Sequence, residues 1–502
     1  MNLCKASIVF LFGITFLGFI LRISNLASSP AGLYIDETSI GYNAYSLITT
    51  GGDEHGKFLP LFFEAFGEYK LPIYIYSVAF VQLFLGPTDL SVRLPAVIFG
   101  TLTILLIFFL SKELLRNNSN QTLKVYVPHL AAFLLAISSW HLQFSRPGFE
   151  ASVGLFFLTL ALYTFFRAVR ENSTFVLSIS TLSFVLTLYS YNSARIVTPI
   201  VLATLLILYF KKFPLFTWVK VLLIGTVIAL PFIIFSVSLE GLLRARQVSI
   251  FFQSTNNSIL KQFLINYWAN ISPFYLFMKG DPTIAHLTSH RMSLLYLVES
   301  PFFFFGFAML FIKRSREYFF VLILLLTAFI PPAISTLNPH ALRSVLVLPA
   351  TVFISALGFG YFLAIFKSKD FQKIAAGVFV AILSISTLRF LNVYHNKYVI
   401  DAGWDWQVGI RRASQRVLEV ENKYNDIYFD LDPRRIPLVW YLKINPKLYQ
   451  TNPNKNHLGK YHINENISSV HGLYIGLQQP EGKLLEYVYY PNNTVAYGIW
   501  EF

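Results

Sequence analysis

Charged residues and cysteine are both scarce in this sequence. Of its 502 residues 13% are charged, and Cys4 is the single cysteine. A soluble domain of this length carries about 25% charged residues, so the composition argues against a soluble class. One cysteine excludes a disulfide framework and a metal site built from cysteines. The sequence also lacks a Walker loop, a Gly-rich strand–helix fingerprint and a His-Glu-x-x-His pattern, so ATP-binding and NAD-binding classes have no support.

Apolar residues are abundant instead, with 55% hydrophobic residues and 50 phenylalanines. Many form runs near the length of about 20 residues that a helix needs to cross a bilayer, which predicts an α-helical polytopic membrane protein. Most of the formal charge of +14 lies in short loops between these runs, where the positive-inside bias places it, so no nucleic acid partner is expected. The first run is interpreted as an uncleaved helix rather than a signal peptide, because so many runs follow it.

Eleven of the apolar runs predict membrane-spanning helices. They lie near residues 6–22, 94–111, 125–140, 149–166, 174–190, 196–210, 219–236, 292–312, 318–336, 345–366 and 374–391. Basic residues cluster in alternate loops, which predicts that these loops and the N-terminus are cytoplasmic. The clusters are Lys112, Arg116 and Lys124; Arg167 and Arg170; Lys211, Lys212 and Lys220; Lys313, Arg314 and Arg316; and Lys367, Lys369 and Lys373.

One further apolar stretch, at residues 71–86, is too short to cross easily. A full crossing here would move every later basic cluster to the outside, unless an extra crossing elsewhere restored the parity. We therefore interpret it as a helix that lies in or dips into the outer interface.

The resulting domain organisation has a transmembrane domain at 1–391 and a small extracytoplasmic α/β domain at 392–502. The transmembrane domain carries a first outer loop at 23–91 and a long outer loop at 237–291. In the tail, the helical period from Trp404 to Lys423 and the short apolar run Asp426–Asp430 predict a helix followed by a strand.

The first outer loop holds the best candidates for chemistry. Asp36 and Glu37 follow a Gly-Leu-Tyr-Ile run that holds them against the membrane face, where a carboxylate can deprotonate a hydroxyl or bind a divalent cation. Asp53, Glu54 and His55 are candidate metal or substrate ligands in the same loop. Their signal is weak, because three adjacent side chains of a regular element do not all face one ion.

Arginines mark almost every predicted outer boundary of the membrane. Positive charge on this side opposes the orientation bias, which suggests that part of it is kept for an anionic ligand such as a phosphate. Lys70, before the short apolar stretch, is a further candidate. The arginines are Arg93, Arg146, Arg195, Arg291 and Arg343, with Arg244 and Arg246 in the long loop.

Six stretches, in this order along residues 1–360, make the chain resemble a known family. They are Leu33–Tyr45, Thr50–Gly56, Tyr69–Tyr74, Ser91–Ala96, Phe144–Glu150 and Ser272–Asp281. The chain resembles the GT-C glycosyltransferases, specifically the bacterial family-39 type related to protein O-mannosyltransferases and the lipid A aminoarabinose transferase.

The resemblance implies roles for particular residues. Asp36 stands at the place of that family's catalytic base, with Glu37 beside it. Lys70 is similar to a lysine that binds the donor phosphate in the aminoarabinose enzyme. That enzyme has an acid directly before its lysine, whereas here Tyr69 holds that place and Glu68 is one step removed. Glu68 is therefore retained as a candidate metal or substrate ligand.

The sequence predicts an inverting glycosyltransferase on the outer face of a bacterial cytoplasmic membrane. The donor is a polyprenyl-phosphate sugar whose phosphate meets Lys70, Arg146 and Arg291, and Asp36 deprotonates an acceptor hydroxyl on a lipid, glycan or protein. No cofactor is certain, and a divalent cation is a candidate. A lipid-linked sugar flippase is the first alternative, but it requires polar residues in the bilayer middle, where the predicted helices have few. A non-catalytic envelope assembly protein gives no reason for the acids of the first loop.

Overall fold

A computed structural model describes residues 2–253, 258–281, 292–431, 435–465, 472–477 and 482–502. The chain forms two compact units. The first unit comprises Met1–Ser24, Phe66–Ile73 and Ala96–Leu391, and the second comprises Asn25–Ala65, Tyr74–Pro95 and Asn392–Phe502.

The described residues are mainly helical. In chain order the α-helices are α1 (Asn2–Ile23), α2 (Ile35–Thr50), α3 (Pro72–Leu85), α4 (Asp89–Leu114), α5 (Gln121–Ile137), α6 (Ser139–Ser145), α7 (Glu150–Glu171), α8 (Thr174–Leu188), α9 (Ala194–Tyr209), α10 (Leu215–Val237), α11 (Leu239–Val248), α12 (Ile250–Gln253), α13 (Ile259–Ile271), α14 (Ser300–Lys313), α15 (Arg316–Thr327), α16 (Ile330–Ala333), α17 (Leu348–Ala364), α18 (Lys369–Asn392), α19 (Val399–Asp401), α20 (Val408–Val420), α21 (Arg435–Tyr441) and α22 (Pro446–Thr451).

The strands are short. They are β1 (Phe63–Ala65), β2 (Glu68–Lys70), β3 (Asp426–Asp430), β4 (His457–Leu458), β5 (Tyr461–Ile463), β6 (Gly472–Gly476), β7 (Lys483–Tyr489) and β8 (Val495–Glu501).

Each of the eleven apolar runs overlaps a helix. By length and composition, seven helical segments within the described residues can cross a membrane. They are Asp89–Leu114, Glu150–Glu171, Ala194–Lys212, Leu215–Val237, Arg316–Ala333, Val345–Ala364 and Lys369–Asp401. The pair α5 and α6 adds an eighth if it is one span, bent by 56° at Ser138, while Ser7–Ile23 and Thr174–Leu188 are shorter apolar helices. The count of eleven crossings therefore remains a prediction.

Polar caps and small residues explain how the helices of the first unit begin and pack. The side chains of Asn120, Ser173 and Ser315 accept hydrogen bonds from the first backbone amides of α5, α8 and α15, which satisfies donors that a helix start leaves unpaired. Gly306 and Gly358 let α14 and α17 touch backbone to backbone, because a Cβ on either glycine would lie within 2.0 Å of a carbonyl oxygen of the other helix.

The two ends of α7 separate two groups of loops in the first unit. At its C-terminal end, Arg170 pairs with Glu113 of α4 at 3.0 Å, among the basic loops that the sequence predicts to be cytoplasmic. At its N-terminal end, Gly154 packs against Tyr191, in a turn predicted to be outer. The helix has 22 residues, so at about 1.5 Å per residue these loops lie about 33 Å apart. This separation agrees with the predicted alternation of the loops.

The predicted short helix at 71–86 is present as α3, from Pro72 to Leu85. Proline is well suited to a first helical turn, and Gly86 follows the last turn with a φ of +66°. Its 14 residues span about 21 Å, which is less than the bilayer core of about 30 Å. Phe80, Leu83 and Phe84 are 63–73% exposed. This length and exposed apolar flank support the predicted interfacial location, which remains a prediction.

The C-terminal part of the second unit contains a six-stranded mixed sheet in the order β4-β5-β3-β6-β8-β7. The central strand β3 has the bounds that the sequence predicts and pairs in parallel with β5 and β6. The helix predicted at 404–423 corresponds to α20, which places Gly409 against Ala496 of β8. An α-helical chain with a C-terminal strand-containing domain is confirmed.

Residues of the predicted first loop belong mostly to the second unit, together with the tail. Trp440 of α21 packs on Gly41 of α2, and its indole nitrogen donates to Asp89 at 3.2 Å. The predicted domain boundary between 391 and 392 stays a prediction, but the loop and the tail form one compact unit.

The predicted orientation can be tested by cysteine labelling. In a Cys4→Ser background, Glu64→Cys should react with a membrane-impermeant maleimide in intact cells, whereas Lys211→Cys should react only after permeabilisation. Both residues are exposed, so folding should not block either reaction. Labelling of both residues from the same side, or the reverse order, would contradict the charge argument.

Candidate active site

A buried ion pair organises the start of α2 in the second unit. Arg93 donates to both carboxylate oxygens of Glu37, from Nε to Oε1 at 3.0 Å and from Nη2 to Oε2 at 3.2 Å. The exposed fractions of the two side chains are 1% and 0%. Arg93 also donates to the carbonyl oxygens of Leu26, Pro30 and Gly32, so one guanidinium holds the segment that leads into α2.

Glu37 also caps its own helix. Its Oε2 accepts a hydrogen bond from the backbone amide of Tyr34 at 2.9 Å, which forms a capping box at the N-terminus of α2. These contacts occupy both carboxylate oxygens. They favour a positioning role for Glu37 over the catalytic role that the sequence suggests.

Asp36 precedes Glu37 in the same helical turn but has a different environment. It is partly exposed, whereas Glu37 and Thr38 are buried. The start of a helix favours a negative charge, so a carboxylate is well placed there. The fixed backbone around Glu37 therefore presents Asp36 at a defined position, as a general base requires.

The second acidic cluster of the loop forms a turn. Oδ1 of Asp53 accepts from the backbone amides of His55 and Lys57, each at 2.9 Å. Glu54 exchanges two hydrogen bonds with Asn43 of α2, at 3.0 and 3.2 Å. The side chain of His55 is 45% exposed and lies 3.9 Å from Glu54. In the described part of the chain these three residues do not form a group with metal-ligand spacing, so the contacts favour a structural turn.

Glu68 and Lys70 lie in the first unit, on the same buried face of β2. Glu68 forms a salt bridge with Arg244 of α11. The ammonium group of Lys70 lies 5.6 Å from the centre of the Phe66 ring, and Gln247 of α11 donates to the carbonyl oxygen of Gly67 at 3.1 Å. Strand β2 and helix α11 therefore bring two cations and one carboxylate together.

Two further arginines join this group. Arg195 donates to the carbonyl oxygen of Gly241 at 3.0 Å and stacks on the Phe232 ring at 5.3 Å. Burial, together with the positive charge of Arg244, lowers the pKa of Arg343 to about 10. Arg343 still carries its charge at neutral pH. Among the described residues it makes no hydrogen bond and no ion pair.

Arg244 pairs with Glu68, Arg195 and Arg343 are close enough to be influenced by the charges of both, and Lys70 lies on the same strand face as Glu68. We call Lys70, Arg195, Arg244, Arg343 and Glu68 the cationic cluster. Tyr191 lies beside it, and burial raises the pKa of its phenol to about 12. Its hydroxyl donates to the carbonyl oxygen of Leu342 at 2.8 Å. A cluster with this excess of positive charge is suited to binding an anion.

Two other arginines of the first unit have structural environments. Arg146 is fully buried and donates to the carbonyl oxygens of Leu21, Arg22 and Ser24 at the end of α1. Arg22, which the sequence analysis missed because it ends an apolar run, donates to Gly18, Leu135 and Ala136. These contacts favour a role in joining helices over the predicted phosphate role of Arg146. Arg291, also predicted to bind the phosphate, lies outside the described residues.

The chain matches known proteins mainly through its fold. The family model described as "Dolichyl-phosphate-mannose-protein mannosyltransferase" matches residues 70–237. ArnT from Cupriavidus metallidurans in the apo state superposes with a TM-score of 0.58 at 10% identity, covering 100% of this chain and 98% of that chain. The chain therefore has the same overall fold as ArnT.

Further GT-C structures extend this result. ArnT from Cupriavidus metallidurans bound to undecaprenyl phosphate matches with a TM-score of 0.57, at 11% identity and over 99% of this chain and 98% of that one. The oligosaccharyltransferase AglB from Archaeoglobus fulgidus, in complex with an inhibitory peptide and a dolichol-phosphate, matches with a TM-score of 0.52 at 14% identity. That match covers 87% of this chain, which spans 63% of AglB. No curated protein matches the sequence itself. The resemblance to GT-C glycosyltransferases is confirmed.

The contrast between Glu37 and Asp36 yields a prediction about stability. Glu37→Gln leaves the buried charge of Arg93 without its carboxylate partner, which should cost about 3–5 kcal/mol of unfolding free energy. Asp36→Asn should cost no more than about 1 kcal/mol, the value of a charge at a helix end. Thermal unfolding in detergent should therefore show a clear decrease for the first variant only. Equal melting temperatures for both variants would refute the positioning role of Glu37.

Proposed function

We propose that this chain is a membrane glycosyltransferase that takes a sugar from a polyprenyl-phosphate donor and transfers it to an acceptor hydroxyl. The observation that carries the proposal is the cationic cluster, in which Arg343 is charged and has no ion-pair partner among the described residues. The GT-C fold and the family match over residues 70–237 support the lipid-phosphate donor class.

The cationic cluster would hold the donor phosphate. Glu68 already pairs with Arg244, whereas Arg343 has no ion-pair partner among the described residues, so its positive charge would be available to an anion. A phosphate needs most stabilisation when it departs from the sugar, since negative charge then develops on its bridging oxygen. The cluster would supply this stabilisation from groups that are already partly desolvated.

Asp36 would act as the general base. A hydroxyl is a weak nucleophile at neutral pH, and a positioned base accelerates such a reaction by about 100- to 10,000-fold. Attack from the side opposite the phosphate would invert the anomeric carbon. The bond from the acceptor oxygen to that carbon forms as the bond from the carbon to the phosphate oxygen breaks, and the acceptor proton passes to Asp36.

A flippase remains the second candidate class, and the described residues give it little support. The membrane-spanning candidates α10 and α18 expose mainly apolar side chains, such as Ile224, Val227 and Ile382, whereas the cationic cluster lies at one end of α7. Transport of a sugar would require a polar path through the bilayer middle. The proposal also places the protein in the bacterial inner membrane, with its C-terminus outside. The acceptor is a lipid, a glycan or a protein, and a divalent cation is a candidate participant.

The first test concerns Asp36. Cells without the gene should be complemented with the wild type, with Asp36→Asn or with Glu64→Gln, and their glycolipids and glycans compared by mass spectrometry. Asp36→Asn should lose the product by about 100-fold or more because the base is removed. Glu64→Gln should keep it, because Glu64 is an exposed acid of the same loop. A wild-type product profile from Asp36→Asn, at equal protein level, would overturn the assigned base.

The second test concerns the phosphate. Arg343→Gln should weaken the binding of undecaprenyl phosphate to the purified protein by about 10-fold or more, because a hydrogen bond to a charged group is worth about 1.5–3 kcal/mol. Arg246→Gln is the matched control, since Arg246 is an exposed arginine of the same helix as Arg244. Equal affinities of the two variants for undecaprenyl phosphate would show that the cationic cluster does not bind the donor phosphate. The Asp36 assay does not depend on this result.

A further inference from the structure

The edge of the C-terminal sheet carries a group of potential metal ligands that glycosyl transfer does not use. His457 of β4 and His462 of β5 are directly opposed in the antiparallel ladder, a position in which Cβ atoms lie about 5 Å apart. Glu465 follows two residues after the end of β5. Among the described residues, this is the one group of three His, Cys, Asp or Glu side chains whose ligand atoms lie within 4.8 Å of one another.

The three ligand atoms form a small triangle. Nδ1 of His462 lies 3.1 Å from Nδ1 of His457 and 3.0 Å from Oε2 of Glu465, and the third side measures 3.5 Å. Ligands about 2.0–2.1 Å from a tetrahedral zinc ion are separated by about 3.3 Å. The triangle therefore has the size of one face of a zinc coordination tetrahedron.

The surroundings hold His462 in the orientation that a metal requires. Its other ring nitrogen, Nε2, lies 2.8 Å from Oδ1 of Asp426, and its ring stacks on Tyr428 with centroids 4.4 Å apart. A carboxylate on the far nitrogen of a metal-binding histidine is a common arrangement, because it fixes the tautomer and makes the ligating nitrogen more basic. Asn454 donates to Oε1 of Glu465 at 3.0 Å and so orients the third ligand.

One close contact in this group, between His462 and Glu465, requires a cation. When Nε2 of neutral His462 donates to Asp426, Nδ1 is an acceptor that faces the carboxylate of Glu465 at 3.0 Å. Two acceptors at this distance repel each other unless a proton or a metal ion lies between them. A metal ion between them would also be within reach of Nδ1 of His457, which the register of β4 and β5 places opposite His462.

We propose that His457, His462 and Glu465 bind a zinc ion, with Asp426 as the positioning residue for His462. Two histidines and one glutamate leave the fourth coordination position for water or an external ligand, as in open zinc sites. His457 is 49% exposed on its side chain, so the ion can enter from solvent. The ion would join β4, β5 and the segment after β5. It would thereby stabilise β4, an edge strand of only two residues.

The test measures metal in the full-length protein, purified in detergent and freed of any histidine tag. After incubation with equimolar zinc and desalting, the wild type should retain about one zinc ion per chain, and its melting temperature should rise relative to the chelator-treated protein. His457→Ala and Glu465→Gln should each bind zinc at least 10-fold more weakly. Asp426→Asn keeps all three ligands and should lower the affinity by about 10- to 100-fold.

His55→Gln is the matched control, because His55 is an exposed histidine of the first-loop acidic turn. It should retain zinc. Loss of zinc in His55→Gln but not in His457→Ala would place the metal at the first loop and overturn the proposal. A wild type that binds no zinc, with a melting temperature that zinc does not change, would overturn the proposal. None of these measurements uses transfer activity, so their outcome is independent of the proposed function.

Discussion

The buried ion pair between Arg93 and Glu37 is the interaction on which the position of Asp36 in the second unit depends. Burying two charges is costly, and the pair is tolerated because Arg93 also satisfies three carbonyl oxygens of the segment that leads into α2. The result is a rigid helix start that no local sequence preference would produce, since Tyr34 is a poor N-cap. Asp36 gains a fixed position from Glu37, whose carboxylate oxygens are occupied by Arg93 and the backbone of Tyr34.

Local patterns predicted the elements well. Strand β3 has the predicted bounds because a short apolar run between turn residues has few alternatives, and α3 lies between Pro72 and Gly86 as expected. Each apolar run overlaps a helix, but the bounds of the helices differ from those of the runs because they depend on packing. The break at Ser138, which bends α5 against α6 by 56°, has no equivalent in the predicted continuous run at 125–140.

The candidate site could be predicted only in part, for reasons of distance along the chain. Asp36 and Glu37 are adjacent acids with the same local pattern, and only the approach of Arg93, 56 residues away, distinguishes them. The sequence identified Arg195, Arg244 and Arg343 as arginines on an unexpected side of the membrane, but it could not show that all three lie near the carboxylate of Glu68, with which Arg244 pairs. The zinc triangle depends on the register of β4 and β5, so two histidines separated by four residues give no signal before the strands are paired.

The salt bridge between Glu68 and Arg244 would have a consequence for turnover in the proposed reaction. The carboxylate of Glu68 reduces the repulsion among the like charges of the cluster, because it pairs with Arg244. A donor phosphate held there, as proposed, would be repelled by the same carboxylate, which would limit how tightly the spent carrier lipid is retained. In the proposed reaction, one acid among several bases would therefore balance the capture of the lipid phosphate against its release, and would affect how soon the next cycle begins.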